Sequence, residues 1–240
     1  MSRSTLEGKH LLLIGGASGI GLAVARMAQT EGAIPLVVAR REASLTGARE
    51  VLGDKASMYV ADLSDHARMD AILDQVDRVD HLFSTAGAFL AEPTIHVDED
   101  EARSVFEGRF WSVVRLLRKA LPKMPADGSV VFMSGTANWR PEGSPIAMAT
   151  LGAIESFARA MAAKHGPIRF NCIAPGLTDT PFLRQFLGDD ATSVLAGMAG
   201  ATPLGRFGTA EEVADAVLFL MRNSYVNAET LNIDGGARLV

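Results

Sequence analysis

Apolar residues along this chain fall in short runs separated by amphipathic stretches, and the two kinds of segment alternate from one end to the other. The runs at 11–14, 35–39, 57–61, 81–84, 130–134, 169–174 and 231–233 have the length and apolar character of strands buried on both faces. Between them, apolar positions recur at helical spacing over 20–31, 42–52, 66–76, 99–121, 146–165 and 210–221. Such alternation implies right-handed crossovers and a parallel sheet covered by helices on both sides. In sheets of this kind ligands sit at the carboxyl ends of the strands, where the strand order reverses.

The first strand runs directly into Gly15-Gly16-Ala17-Ser18-Gly19-Ile20-Gly21, which opens the first helix. Gly15 permits a tight turn, Gly19 lets the backbone come close to a pyrophosphate, and Gly21 lets the helix press against the strand. With Ser18 and Ile20 between them, these residues set the unpaired N–H groups of a helix N-terminus in front of an anion. The expected fold class is α/β: a single-domain Rossmann-like doubly wound sheet of seven mainly parallel strands with helices on both faces. No linker, low-complexity tract or internal repeat divides the chain, so residues 1–240 read as one dinucleotide-binding domain.

Composition narrows the class. Of the 240 residues, 48% are apolar, enough for a sizeable core and far from the composition of a disordered chain. No uninterrupted apolar run reaches the roughly 18 residues of a membrane span, and the first residues are polar with no signal-peptide core. A cytoplasmic protein with no membrane partner is expected. The formal charge of −5 comes as mixed signs with no basic block, which argues against nucleic acid as a partner. The lone Cys172 falls on a predicted strand and fits core packing. His81 and His165 read as structural, His96 as a loop residue, and no spacing of His, Cys, Asp and Glu suggests a metal.

The second strand ends in Arg40-Arg41, where a chain selecting NAD would place a carboxylate on the adenosine ribose hydroxyls. A carboxylate there repels a 2′-phosphate and a guanidinium pairs with it, so the expected cofactor is NADP(H).

Further landmarks follow in order. Asp62-Leu63 falls after the third strand, Ser84-Thr85-Ala86-Gly87 follows the fourth, and Pro175-Gly176, then Leu177 and Thr180, come after the sixth. Pro203-Leu204-Gly205-Arg206-Phe207-Gly208, Glu211-Glu212-Val213-Ala214 and Asp234-Gly235-Gly236 close the chain. Over essentially its whole length this succession resembles the short-chain dehydrogenase/reductase family. Two positions depart from the family's pattern: Ile14 stands where a threonine usually opens the glycine turn, and Ser84-Thr85 where two asparagines are usual. The resemblance implies adenine contacts at Asp62 and Leu63. It also implies cofactor contacts at Ala86 and Gly87, and nicotinamide and phosphate contacts at Pro175, Gly176, Leu177 and Thr180.

In the resembled family a tyrosine exchanges a proton with the substrate while hydride moves at the nicotinamide, and a lysine four residues later lowers the tyrosine pKa. Hydride transfer to a carbonyl needs a proton in step, and a phenol titrating near 10 needs a cation beside it. A serine and an asparagine complete the set. Laid on this chain, the pattern puts Ala147 and Leu151 at the tyrosine and lysine, Val105 at the asparagine, and Gly135 or Ser134 at the serine. The two tyrosines present, Tyr59 and Tyr225, fall elsewhere. Ser134 and Thr136 are candidates to orient a carbonyl oxygen, with water carrying the proton. Arg109, one turn past Val105, and Arg140, in the loop after the fifth strand, are candidates to polarise a carbonyl or grip an acidic substrate. The expected catalytic residues are thus Ser134, Arg140 and Arg109.

Two readings stay open. One is an NADP(H)-dependent oxidoreductase of atypical mechanism, acting on a small-molecule carbonyl, alcohol or electrophilic double bond. The other is an NADP(H)-binding pseudoenzyme or a non-redox scaffold. The segment at about 178–208, rich in Pro and Gly with little periodicity, reads as a substrate-covering lid. Its Phe182, Leu183, Phe186, Leu187 and Met198 point to an apolar pocket. The small residues Ala147, Ala149, Gly152, Ala153 and Ser156, taken with the resemblance, lead to an expected homodimer or homotetramer.

Overall fold

The computed structural model describes residues 5–85, 87, 95–139, 144–188 and 202–240, the side chains of Asn138, Trp139 and Phe186 excepted. Seven strands build one sheet: β1 (His10–Ile14), β2 (Ile34–Ala39), β3 (Ser57–Val60), β4 (His81–Ser84), β5 (Ser129–Met133), β6 (Arg169–Pro175) and β9 (Thr230–Ile233). Their order is β3-β2-β1-β4-β5-β6-β9, and every neighbouring pair is parallel. The strand order therefore reverses between β1 and β4, and the crevice lies there at the carboxyl edge.

The period of two along each strand sorts the core into two layers. Leu11, Leu13, Val37, Phe83, Val131 and Ile173 face one side, where they meet α1 (Gly19–Thr30), α2 (Glu42–Leu52) and α8 (Ala210–Arg222). Leu12, Ile14, Val38, Leu82, Phe132 and Cys172 face the other, against α3 (His66–Asp74), α5 (Ser112–Ala120) and α6 (Pro145–Lys164). Most of these side chains are fully buried, each contributing about 1.5–3 kcal/mol of transfer free energy.

Local chemistry sets the helix ends. Asp65 caps α3 by accepting from the Arg68 N–H, and Asp98 caps α4 (Glu99–Phe106) through the Asp100 and Glu101 N–H groups. Ser144 with Pro145 starts α6, and Thr209 with Glu212 closes a capping box on α8. Ser18 differs from these: its side chain makes no cap bond to α1. At the far end of α8, Arg169 donates to the carbonyls of Leu220, Met221 and Val226 and so satisfies a helix C-terminus from inside the protein. At the amino edge of the sheet, buried Asp80 takes a fork from Arg78, the Lys9 ammonium and the His10 N–H.

The sheet and both layers match the sequence reading. Three local features differ. The helix expected over 99–121 carries a π-helical stretch, Glu107–Trp111, between α4 and α5; Gly108 weakens the α-turn there, and the Ser112 hydroxyl donates to the Glu107 carbonyl 2.6 Å away. The described part of 178–208 is regular in places. It holds α7 (Pro181–Leu187), started by Thr180 as cap and Pro181 in the first turn, and a parallel pair, β7 (Thr178–Asp179) with β8 (Gly208–Thr209). Both are too short to leave a period in the sequence. Finally, α6 is by length and composition apolar enough to cross a membrane, which a search for unbroken apolar runs passes over. Here it lies along the sheet, with Leu151, Ile154, Ala158 and Ala162 buried.

Candidate functional site

Two cavities open at the carboxyl edge. The outer one, about 400 Å³, is lined by Gly15 and Ser18 from the glycine turn, Arg40 and Arg41 after β2, and Asp62 and Leu63 after β3. Ser44, Ser64, Ser104, Glu107 and Gly108 also line it, and none of these five belongs to a motif of the sequence. The glycine turn is forced by contact distances. Gly15 holds φ +81° and a Cβ there would lie 2.0 Å from Thr85 Oγ1, while a Cβ on Gly21 would lie 2.2 Å from the Gly15 carbonyl oxygen. Gly21 thus presses on the turn itself, not on the strand, and lines neither cavity. With Ser18 making no cap, the first N–H groups of α1 keep their capacity for an anion.

Ser64 donates its hydroxyl, at 2.6 Å, and its N–H, at 2.8 Å, to Asp62 Oδ1. These bonds, and then the charge of Arg40, hold Asp62 below the usual carboxylate range against partial burial. The outer cavity therefore offers two guanidinium groups, Arg40 and Arg41, and two carboxylates, Asp62 held by Ser64 and Glu107 paired with Arg115. That set fits a nucleotide bearing an extra phosphate on its ribose.

The inner cavity, about 330 Å³, is lined by Ser18, Gly19 and Ile20, by Pro175, Gly176, Leu177 and Thr180, and by Ser134 and Arg109. Ser18, Thr85 and Gly87 line both cavities, so the two meet at the glycine turn. Leu151, Met133, Phe182 and Leu183 supply most of the remaining wall. Among the described lining residues there is no tyrosine and no lysine. The Ser134 hydroxyl donates to Glu155 Oε1 at 2.6 Å, a buried pair in which Ser134 is 5% and Glu155 8% exposed. Glu155 was not foreseen; its place one turn after Leu151 on α6 is the only signal the sequence held. Together with burial, its charge pushes the neighbouring Cys172 thiol up to about 12, which leaves that thiol inert packing.

Thr136 turns away from the cavity and donates to the Pro175 carbonyl at 3.3 Å. Val105 is buried and lines neither cavity, whereas Arg109 does, one turn later inside the π-helical stretch. Gly176 is packed against Asp234, whose Cα would lie 2.9 Å from an added Cβ. Ala86, Arg140 and Met198 lie outside the described residues, as does the side chain of Phe186. His81 hydrogen-bonds Ser129 at 2.8 Å in the core, and His165 ends α6 beside the Phe170 ring. No group of three potential metal ligands occurs among the described residues.

A sequence profile described as "Enoyl-(Acyl carrier protein) reductase" matches residues 15–238. The 3-oxoacyl-[acyl-carrier-protein] reductase FabG of Thermotoga maritima is 30% identical, over 96% of this chain and 98% of its own. Among solved structures, the MalC reductase/Diels-Alderase of Malbranchea aurantiaca superposes with a TM-score of 0.92 at 26% identity, over all of both chains. L-sorbose reductase of Gluconobacter frateurii, solved with NADPH and L-sorbose, gives 0.91 at 27% identity, again over all of both chains. Fold, order of motifs and relatives agree, and the chain belongs to the short-chain dehydrogenase/reductase family of oxidoreductases.

Proposed function

We propose that the protein is an NADP(H)-dependent oxidoreductase that moves a hydride between the nicotinamide and a small carbonyl, alcohol or electrophilic double bond, without the family's tyrosine–lysine pair. The observation that carries the reading is the outer cavity: Arg40 and Arg41 beside Asp62, continuous through Ser18, Thr85 and Gly87 with an inner cavity of mixed polarity. NADPH bound by a relative of 27% identity supports the choice of cofactor.

The cofactor, when bound, supplies or accepts the hydride. Arg40 and Arg41 would hold the ribose phosphate, and the α1 N-terminus the pyrophosphate. Ala147 and Leu151 have no proton to exchange, so the proton comes from water admitted to the cavity. With its own hydrogen given to Glu155, Ser134 can only accept, so its lone pairs hold the hydroxyl of an alcohol or the water that carries the proton. The positive field of Arg109 favours negative charge building there. Forgoing a positioned general acid costs roughly 10²–10⁴ in rate, leaving proximity and orientation to act.

The test is a fluorescence titration with NADPH and NADH, followed by a panel of aldehydes, ketones, imines and enones. NADPH is expected to bind at least about tenfold more tightly than NADH, and Arg40→Asp to cancel that preference, since a charge-assisted bond contributes about 1.5–3 kcal/mol. No NADPH binding at millimolar concentration rules the cofactor out. Binding without oxidation above background across the panel leaves a binding protein in place of an enzyme.

A further inference from the structure

Arg109 is the only charged side chain among the described residues of the inner cavity. Its Nε is buried with no hydrogen-bond partner, and among the described residues no carboxylate pairs with it. Burial alone acts on its pKa, pushing it down, yet a guanidinium remains protonated in any protein. Among the described residues this half-buried cation therefore has no counter-charge, an arrangement that costs free energy until an anion arrives.

The placement is specific. The guanidinium packs on Gly87, where an added Cβ would come within 2.6 Å of Cζ and Nη2, so a side chain at 87 would make the arginine shift. Gly87 lines both cavities, which puts the cation at their junction, and Met133, Leu151, Pro175 and Leu177 make the surrounding wall apolar. In such a wall an ion pair is far stronger than in water.

Building on the proposed cofactor, we infer that the inner cavity is a receptor for an organic carboxylate: the substrate carries a carboxylate group that Arg109 takes in a fork, close to the carbon that exchanges hydride. A carboxylate matches the planar fork, and the NADP(H) phosphates already have the α1 N-terminus and the Arg40–Arg41 pair.

Benzoate and hexanoate, each against its neutral amide, are titrated into the protein by ligand-observed NMR, with and without saturating NADP⁺. Each acid is expected to bind at least tenfold more tightly than its amide at pH 7. Arg109→Gln should erase that preference, and Arg109→Lys should keep part of it. The melting temperature of Arg109→Gln should match or exceed wild type, because an uncompensated buried charge has gone; a variant that melts lower marks a structural role and counts against the receptor. Equal binding of acid and amide to wild type, or a preference that survives in Arg109→Gln, overturns the inference. If Arg109→Gln weakens NADP⁺ at least tenfold and wild type ignores both acids, Arg109 serves the cofactor and the receptor is wrong while the cofactor reading stands. If wild type prefers the acids but binds no NADP⁺, the receptor stands and the cofactor reading falls.

Discussion

At position 21 a single methyl group decides whether the nucleotide turn exists. A Cβ there meets the Gly15 carbonyl oxygen at 2.2 Å, a backbone atom that cannot step aside. Gly21→Ala is therefore expected to cost more than about 2 kcal/mol and to abolish NADPH binding, read by thermal melting and fluorescence titration. Residues of this kind were legible in the sequence, because strand ends and glycine spacing fix backbone positions: Gly15, Ser18, Arg40, Arg41, Asp62 and Leu63 all fall in the outer cavity. Side chains whose aim depends on packing were not. Thr136 was expected to face the substrate and bonds the Pro175 carbonyl instead, and the hydrogen of Ser134 goes to a glutamate one turn beyond Leu151.

Among the elements, the seven sheet strands and six long helices could be placed from hydrophobic period alone, to within a residue or two at most ends. What escaped was whatever lacks a period: α7, two residues each of β7 and β8, and the π-helical stretch. That stretch matters to the site, since it adds a residue to one turn and brings Arg109, not Val105, to the cavity wall. Removing the Ser112 hydroxyl from the Glu107 carbonyl, by Ser112→Ala, should cost about 1 kcal/mol in a urea melt. A larger loss is expected for α8. Arg169→Met leaves two carbonyls of the last turn and that of Val226 beyond it without their donor and should cost on the order of 3 kcal/mol, measured the same way.

For the molecule as a whole, two buried groups at the amino edge of the sheet govern acid stability. Burial, outweighing the pull of Asp80, presses the His81 pKa down to about 4 from an ordinary 6.5. Above pH 6.5 the folded and unfolded chains hold this ring equally neutral; as pH falls from 6.5 to 4 only the unfolded chain takes the proton, so stability drops by on the order of 3 kcal/mol and then levels. Asp80 adds a second limb. Burial opposes its charge, but the Arg78 fork, the His10 N–H and Lys9 win and hold it well below the usual carboxylate range, so its contribution is present above about pH 4 and lost beneath it. Urea unfolding between pH 8 and pH 3 should show both limbs, and His81→Asn should flatten the first. At the opposite edge, the parallel pair of Thr178–Asp179 with Gly208–Thr209 has a different consequence. Ends stapled about 5 Å apart turn the intervening stretch into a cassette. Phe182 and Leu183, which line the inner cavity, hang from that staple and from no strand of the main sheet, so inheritance can vary what this protein accepts at these positions at little cost to how it folds.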